Sequence, residues 1–508
     1  MKKFFLILSI LVVCIGASHA QFVTFEKAST VNYNQLFFQH ILVDNTDDGF
    51  TVYVNPFYTK GGHYQHSLLH YDKKKNRLTN TQLTLPKQCL LITAFPSGDG
   101  YFALYTRKVK SDVVLATARL DKKGSHNVTP TQRSVIGKYK KNVVYAAHSA
   151  DGQRHAVVFE TNNPKSTDYH VFVYDSDGTC TLDYLFTPKS ENASYINDIT
   201  VSNDGEVALL YGSFKRTRTV SHLEALNLVL VGPDKDFSHY RISTPDYDNL
   251  SVPKMALLKD GRHFIGLYYR ENGARNDFGY FTYIFDRHNP DLVTEHHHAI
   301  PEQATPRSAF YITRHFDCDL MPRNILELEN GNVVMLGERC GTFAVSTGQQ
   351  GQTSYVNVAA DIVAQVFDNQ GNQIGKDILV DKYQRHYSSA SLSYSDLSMR
   401  RHATYASVGL SFSSFAIGND VYLLYNDHRD KGDEITYFTF FKGNYNNSCV
   451  RMTKISPDGV ESQKVLDNDQ YKKFYHNLWT VDAQDVFFGM YGGLFGKDYG
   501  IGRVSFAR

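Results

Sequence analysis

Asn324 to Gly341 reads NILELENGNVVMLGERCG. Ile325, Leu326 and Leu328 precede Asn330-Gly331, and Val333, Val334, Met335 and Leu336 follow it. An Asn-Gly pair between two β-rich apolar runs predicts a hairpin, with a two-residue turn whose two positions both take positive φ. The same unit recurs along the chain. Its turns fall at Asp48-Gly49, Asp99-Gly100, Asp151-Gly152, Asp204-Gly205, Asp260-Gly261, Asn330-Gly331, Gly418-Asn419 and, in degenerate form, Ala483-Gln484. A second, more polar hairpin lies between successive inner ones, turning for example at Asp175 to Gly178, Asp368 to Gly371 and Ser456 to Gly459. Each unit therefore holds four strands, the most solvated one last.

Four antiparallel strands repeating every fifty to sixty residues or so are the pattern of an all-β propeller. A single four-stranded sheet cannot cover both its faces, but radially stacked sheets cover one another. The eighth unit has only DVFFGMY and IGRVSFA before the chain ends, and lacks an outermost strand. A spare strand, FVTFEKAS (Phe22 to Ser29), lies ahead of the first inner hairpin. The expectation is a β-propeller of four-stranded antiparallel blades, eight in number, closed by the N-terminal strand on the last blade. A seven-bladed ring with one weak unit outside it is the first alternative, and a pair of β-sandwich domains the second.

The pattern resembles that of secreted, uncharacterised bacterial β-propeller repeat proteins. Besides the blades, the resemblance rests on the Ser456 to Gly459 turn (SPDG) and the N-terminal segment, and it implies a fold and no activity. Trp-Asp repeats and kelch Gly-Gly pairs are missing, and Asp175-Ser176-Asp177-Gly178-Thr179 lacks the spacing and Trp of a sialidase Asp-box.

Lys2 and Lys3, the apolar run Phe4 to Ile15, and Ser18-His19-Ala20 form an export signal, so residues 1–20 read as a signal peptide and 21–508 as one propeller domain. The apolar run is too short for a transmembrane helix. The expected location is periplasmic, outer-surface or extracellular. Fifty-three Lys and Arg against 52 Asp and Glu leave no global field for nucleic acid. Cys89, Cys180, Cys318, Cys340 and Cys449 remain after cleavage, an odd number without CxxC spacing. Cys318 and Cys340 bracket the sixth inner hairpin at one end, so a disulfide between them is expected, with two separate buried thiols as the alternative.

Units five to seven carry the longest connections: Glu302 to Arg323, Arg339 to Val358, Asp381 to Leu410 and Asn426 to Ser448. Propeller topology puts all four on one face and in one sector, where loops of this length carry function. Arg314, Arg339, Tyr355, Arg385, Tyr387, Arg401 and His428 are the candidate ligand-binding residues, because Arg forks onto carboxylates or phosphates and Tyr buries area at low entropy cost. The competing reading is solvated loop whose arginines pair with Asp381, Asp396, Asp430 and Asp433. Asp427 and Asp430 are candidate Ca²⁺ ligands, although EF-hand spacing is absent, and no other cofactor is expected. The His296-His297-His298 tract cannot converge on a metal from a strand, where neighbours face opposite ways. Glu338-Arg339 reads as a buried pair, or as part of a carboxylate constellation for glycoside chemistry. The function expected is an exported binding or scaffolding module of the cell envelope, with a glycan, peptide or envelope protein as partner. The alternative is a glycan- or polymer-acting enzyme with its site on the long-loop face.

Overall fold

A computed structural model describes residues 22–26, 38–56, 66–75, 77–83, 89–110, 112–121, 133–138, 142–162, 167–188, 193–216, 221–242, 249–270, 278–287, 294–299, 319–346, 353–388, 411–428, 448–466, 471–481, 485–492 and 498–506. Blade one is β2 (Phe38–Thr46), β3 (Gly49–Pro56), β4 (His66–Asp72) and β5 (Arg77–Leu83). Blade two is β6 (Cys89–Ser97), β7 (Gly100–Val109), β8 (Asp112–Asp121) and β9 (Arg133–Lys138). Blade three is β10 (Asn142–His148), β11 (Arg154–Asn162), β12 (Thr167–Asp175) and β13 (Cys180–Phe186). Blade four is β14 (Ala193–Val201), β15 (Val207–Arg216), β16 (Ser221–Val231) and β17 (Phe237–Ile242). Blade five has β18 (Asn249–Leu250), β19 (Lys254–Leu257), β20 (His263–Arg270), β21 (Phe278–Phe285) and β22 (Thr294–Ala299). Blade six has β23 (Asp319–Glu327), β24 (Val333–Ser346), β25 (Thr353–Phe367), β26 (Gln373–Val380) and β27 (Gln384–Ser388). Blade seven is β28 (Phe412–Ile417), β29 (Asp420–His428), β30 (Ser448–Ser456) and β31 (Gly459–Val465).

These seven sheets are contiguous in the chain. The eighth is composite: β32 (Tyr471–Val481), β33 (Asp485–Gly492), β34 (Asp498–Ser505) and, outermost, β1 (Phe22–Glu26), in the order β1-β34-β33-β32. Phe22 pairs with Ser505 and Glu26 with Ile501. The innermost strands touch in chain order from β2 to β32, with β19 serving blade five, and β32 returns to β2. Among the described residues no ladder runs from one sheet to the next, so the ring is held by packing and is not a hydrogen-bonded barrel.

The expectation of uniformly four-stranded blades is corrected on two sheets. In blade five Pro253 has no N–H to give a ladder, and the innermost strand breaks into β18 and β19, both paired with β20. Ser251 stitches the gap: its N–H reaches Tyr268 O at 2.7 Å and its hydroxyl accepts from Tyr268 N–H at 2.8 Å. Blade six gains a true extra strand, because β27 pairs with the N-terminal half of β25.

The Asn330-Gly331 turn is also corrected. Gly331 N–H donates to Leu328 O and Leu328 N–H to Asn332 O, a four-residue turn in which Gly331 alone takes positive φ, at 83°. The Asn330 side chain accepts from Asn332 N–H at 3.0 Å, which fixes the turn without a left-handed asparagine. Asp151 and Asp260 do the same for the residue beyond Gly152 and Gly261.

Apolar faces of neighbouring sheets meet in separate seams. Ala156, Val158, Val171 and Val173 of blade three pack with Ile199, Val207, Leu209 and Val229 of blade four. Val334, Leu336, Ile362 and Ala364 of blade six pack with Val421, Leu423 and Tyr425 of blade seven. Phe50 and Tyr71 of blade one meet Phe487 of the composite blade at 5.6 and 5.7 Å between ring centres. Each fully buried side chain of this size contributes roughly 1.5–3 kcal/mol.

Polar clips cross the same seams. The innermost ladder slips by one residue at Leu42/Asp44, Leu91/Thr93, Ile196/Asp198 and Pro322/Asn324. Such bulges re-aim the following side chain. Thr93 then meets His148 Nε2 at 3.2 Å, Asp198 accepts from Met255 N–H at 3.0 Å, and Asn324 donates to Ser414 Oγ at 2.9 Å, each on the next blade. Asp198 also takes Ile199 N–H at 3.1 Å and Lys254 Nζ at 3.3 Å. Asp198→Ala leaves Met255 N–H buried and unmet, so urea unfolding should show a loss of about 2–3 kcal/mol, while Asp204→Ala, on the exposed turn of the same blade, should change stability by under about 0.5 kcal/mol.

Candidate functional site

Blade six departs from its neighbours at the end opposite the Asn330-Gly331 turn. Arg339 to Val358, expected as a loop, is mostly ladder: β24 runs to Ser346 and β25 starts at Thr353. The sequence allows this because TFAVS and SYVNVA are β-rich, and the Gly and Gln residues gather between them. Part of the expected Asp381 to Leu410 loop is the added strand β27, which sets Arg385 opposite Val358 and Tyr387 opposite Val356, with Tyr355 opposite Ser388. His428 ends β29, opposite Ser448. Arg314, Arg401, Asp430 and Cys318 lie outside the described residues, as does most of the Glu302 to Arg323 and Asn426 to Ser448 connections. Cys340 is buried and pairs in register with Asp319, the residue after Cys318.

A buried ionic network forms the base of this extension. Glu338 has no exposure, and its carboxylate takes Arg323 Nε at 2.7 Å and Nη2 at 2.6 Å on one oxygen and the Lys382 ammonium on the other. Lys382 passes on to Gln384 Oε1 at 2.9 Å. The Gln384 amide spans three segments. It accepts from Ser411 N–H at 2.6 Å and donates to Ser411 O at 3.0 Å and Asn426 O at 2.6 Å. Ser411 sits at φ 78°, a left-handed conformation rare outside glycine, and the paired bonds to Gln384 hold it there. Asp427 accepts Tyr383 N–H at 3.0 Å and faces Arg451 Nε at 2.7 Å. The roots of β23, β24, β27, β28, β29 and β30 thus converge on one buried cluster.

The Glu338-Arg339 pair expected from sequence is divided. The ladder slips between Glu338 and Cys340, where Arg339 stands against two residues, Ala360 and Asp361. Arg339 is 5% exposed, and its guanidinium lies 5.2 Å from the Phe278 ring of blade five. It belongs to the base of the extension and faces Asp361, while Glu338 is served by Arg323 and Lys382. Arg323, Asp361, Lys382 and Gln384 were not among the sequence candidates. The available signal was a lone acid inside the apolar run VNVAADIVAQVF.

The two acids of this hairpin are driven apart. Burial alone would raise Glu338, but Lys382 and Arg323 outweigh it and hold its carboxyl at about 2. Burial pushes Asp361 up to about 7, opposed by Arg339 and reinforced by the charge of Asp381. Glu338 is ionised at neutral pH, whereas burial makes Asp361 hold its proton well above the ordinary carboxyl range. Asp427, a candidate Ca²⁺ ligand, is engaged by Arg451 and the Tyr383 amide, and among the described residues no three His, Cys, Asp or Glu side chains are grouped to hold a metal. The His296 to His298 tract lies on the outer strand β22. Among the described residues no helix is long and apolar enough to cross a membrane.

No protein-family model matches the chain, and no curated protein matches it. Solved structures share the fold at low identity. The Dos1 propeller is 9% identical with a TM-score of 0.46, covering 95% of this chain and 95% of its own. Polysaccharide lyase Uly1 is 9% identical at 0.38, covering 96% and 98%. A putative 6-phosphogluconolactonase from Bacteroides uniformis is 14% identical at 0.35, covering 68% and 88%. The chain has a β-propeller fold.

Glu338→Ala leaves two cations buried without their anion, and should cost about 3–5 kcal/mol by urea unfolding. The two carboxyls give opposite pH dependence. Glu338 lies below its ordinary value of 4.5, so its contribution is present above that pH and is lost as pH falls towards 2. Asp361 lies above its ordinary 3.8, so stability is fullest below that and declines as pH rises through 7. Measured against Asp361→Asn, the native chain should therefore lose unfolding midpoint between pH 4 and pH 8, a difference that cancels the opposite rise contributed by the buried His66, His155 and His263, whose pKa values burial lowers.

Proposed function

We propose that the mature chain is an exported binding module of the cell envelope, with its ligand face at the loop end of blades six and seven. One observation carries this reading: a hairpin lengthened to 14 and 15 residues, joined by a fifth strand and rooted in a buried ionic network. Recognition side chains mounted on strands are held more rigidly than side chains on loops. Here Tyr355, Arg385 and Tyr387 occupy ladder positions on the extension. Tyr with Arg suits a glycan, an anionic peptide or an envelope protein. Export is supported by Lys2, Lys3, the apolar run to Ile15 and Ser18-His19-Ala20.

Asp361 favours a second reading, an enzyme acting on a glycan or another polymer. Burial raises its carboxyl towards the range of a general acid, while Glu338 is held by Arg323 and Lys382 as part of the scaffold. The fold hosts either function. Thermal shifts of the mature protein against polysaccharides and acidic peptides should show one responsive class, with the shift lost in Arg385→Ala and in Tyr387→Ala. Product release from that polymer, abolished by Asp361→Asn with binding retained, would select the enzyme. A shift unchanged in both alanine variants would remove the site from this face.

A further inference from the structure

The seam between blades one and two buries a group of polar side chains. Tyr53 on β3 and His66 on β4 belong to the face of blade one turned towards blade two. Tyr53 packs in the seam core with Leu68 and Leu83, and its ring centre lies 5.7 Å from that of His66. Blade two answers with Cys89 on β6 and Tyr105 and Arg107 on β7. Leu91 pairs with Tyr105 and Cys89 with Arg107, so Cys89, Tyr105 and Arg107 share one side of the sheet. Tyr53 is 0% and Tyr105 2% exposed. Neither phenol oxygen, nor Arg107 Nε, has a hydrogen-bond partner among the described residues.

Several other seam tyrosines are served, although the phenol oxygens of Tyr169 and Tyr174 are also unmet among the described residues. Tyr145 donates to Glu160 Oε2 at 3.1 Å, Tyr268 to Gln365 Oε1 at 2.7 Å, and Tyr425 meets Thr453 Oγ1 at 2.8 Å. In the first seam Tyr101 meets Thr51 Oγ1 at 2.9 Å, but among the described residues no acceptor reaches Tyr53 or Tyr105. Its groups lie close enough to act on one another, Tyr53 on Tyr105 and Cys89, and Cys89 on Arg107. Buried donors left unmet cost about 1–3 kcal/mol each. We infer that Tyr53, Tyr105 and Arg107 line an anion-binding site in the seam between blades one and two, sized for a compact monoanion such as a halide or the carboxylate of a short organic acid. Phenol O–H and guanidinium N–H groups all donate, and a single small anion would accept from all three.

Bromide and acetate probe the site in the mature, full-length protein at fixed ionic strength. Bromide should raise the unfolding temperature saturably, and bromide-soaked crystals should show an anomalous peak within hydrogen-bond distance of Tyr53 Oη, Tyr105 Oη and Arg107 Nε. Acetate competing with bromide would identify the carboxylate source, and bromide binding unaffected by acetate the halide. The double variant Tyr53→Phe/Tyr105→Phe should fold and weaken bromide binding at least tenfold, and Arg107→Gln should do so independently. Ordered water without an anomalous peak, or a bromide response unchanged in the double variant, would overturn the assignment. So would a double variant more stable than the native chain in saturating bromide, because removing two truly unmet hydroxyls should stabilise.

Discussion

Every sheet of this molecule is apolar on both faces, so none of them can exist in water alone. Val157, Phe159 and Phe172 of blade three face blade two, while Val158, Tyr169 and Val171 of the same strands face blade four. A strand with alternating faces normally turns one of them to solvent. Here both faces need a neighbour, and the ring supplies two for each blade without a free end. Some of the polar side chains in the seams grip the next blade. Asp198 and Asn324 do so after a bulge, and Glu160 does so by accepting Ile196 N–H at 2.9 Å. These clips set the radial register that apolar packing leaves loose.

Blade six shows how charge can be carried deep into such a ring. Glu338, Lys382 and Arg323 are costly to bury, and their mutual attraction offsets that cost only while all three stay in place. The network spans the roots of several strands and fixes Ser411 in an unfavourable backbone conformation. It serves precision of placement more than stability. Asp361 stands apart from it: among the described residues its oxygens meet no comparable set of donors, and burial raises its carboxyl to about 7.

Repetition made the fold legible. Glycines at positions 152, 205, 261 and 331 mark inner-hairpin turns, and the spare strand Phe22–Glu26 could be matched to a unit that lacked one. The turn itself was misread, because an Asn-Gly pair fits both a two-residue turn and the longer one in which only Gly331 is left-handed. Blade six was misread for a related reason. Strand ends are judged from apolar alternation, and GERCGTFAVS breaks that alternation with Glu338 and Arg339, whose burial depends on Lys382, Arg323 and Asp361 elsewhere in the chain. Long-range ion pairing leaves no local trace. The candidates Arg385 and Tyr387 came from loop length, and β27 gives them a backbone position that loop length could not.

The composite blade has a temporal consequence. Phe22 cannot meet Ser505 until all seven blades between them have been made, so the last seam to close joins the two ends of the ring. Seven blades can stack progressively during synthesis, each sheltering one face of its predecessor. The outer face of blade one, with Phe50 and Tyr71, must wait uncovered for Phe487. Contacts of such sequence separation form slowly, and unpaired edges invite association while they wait. The vulnerable species of this protein is therefore an open arc of blades, and its lifetime is set by how soon β1 finds β34.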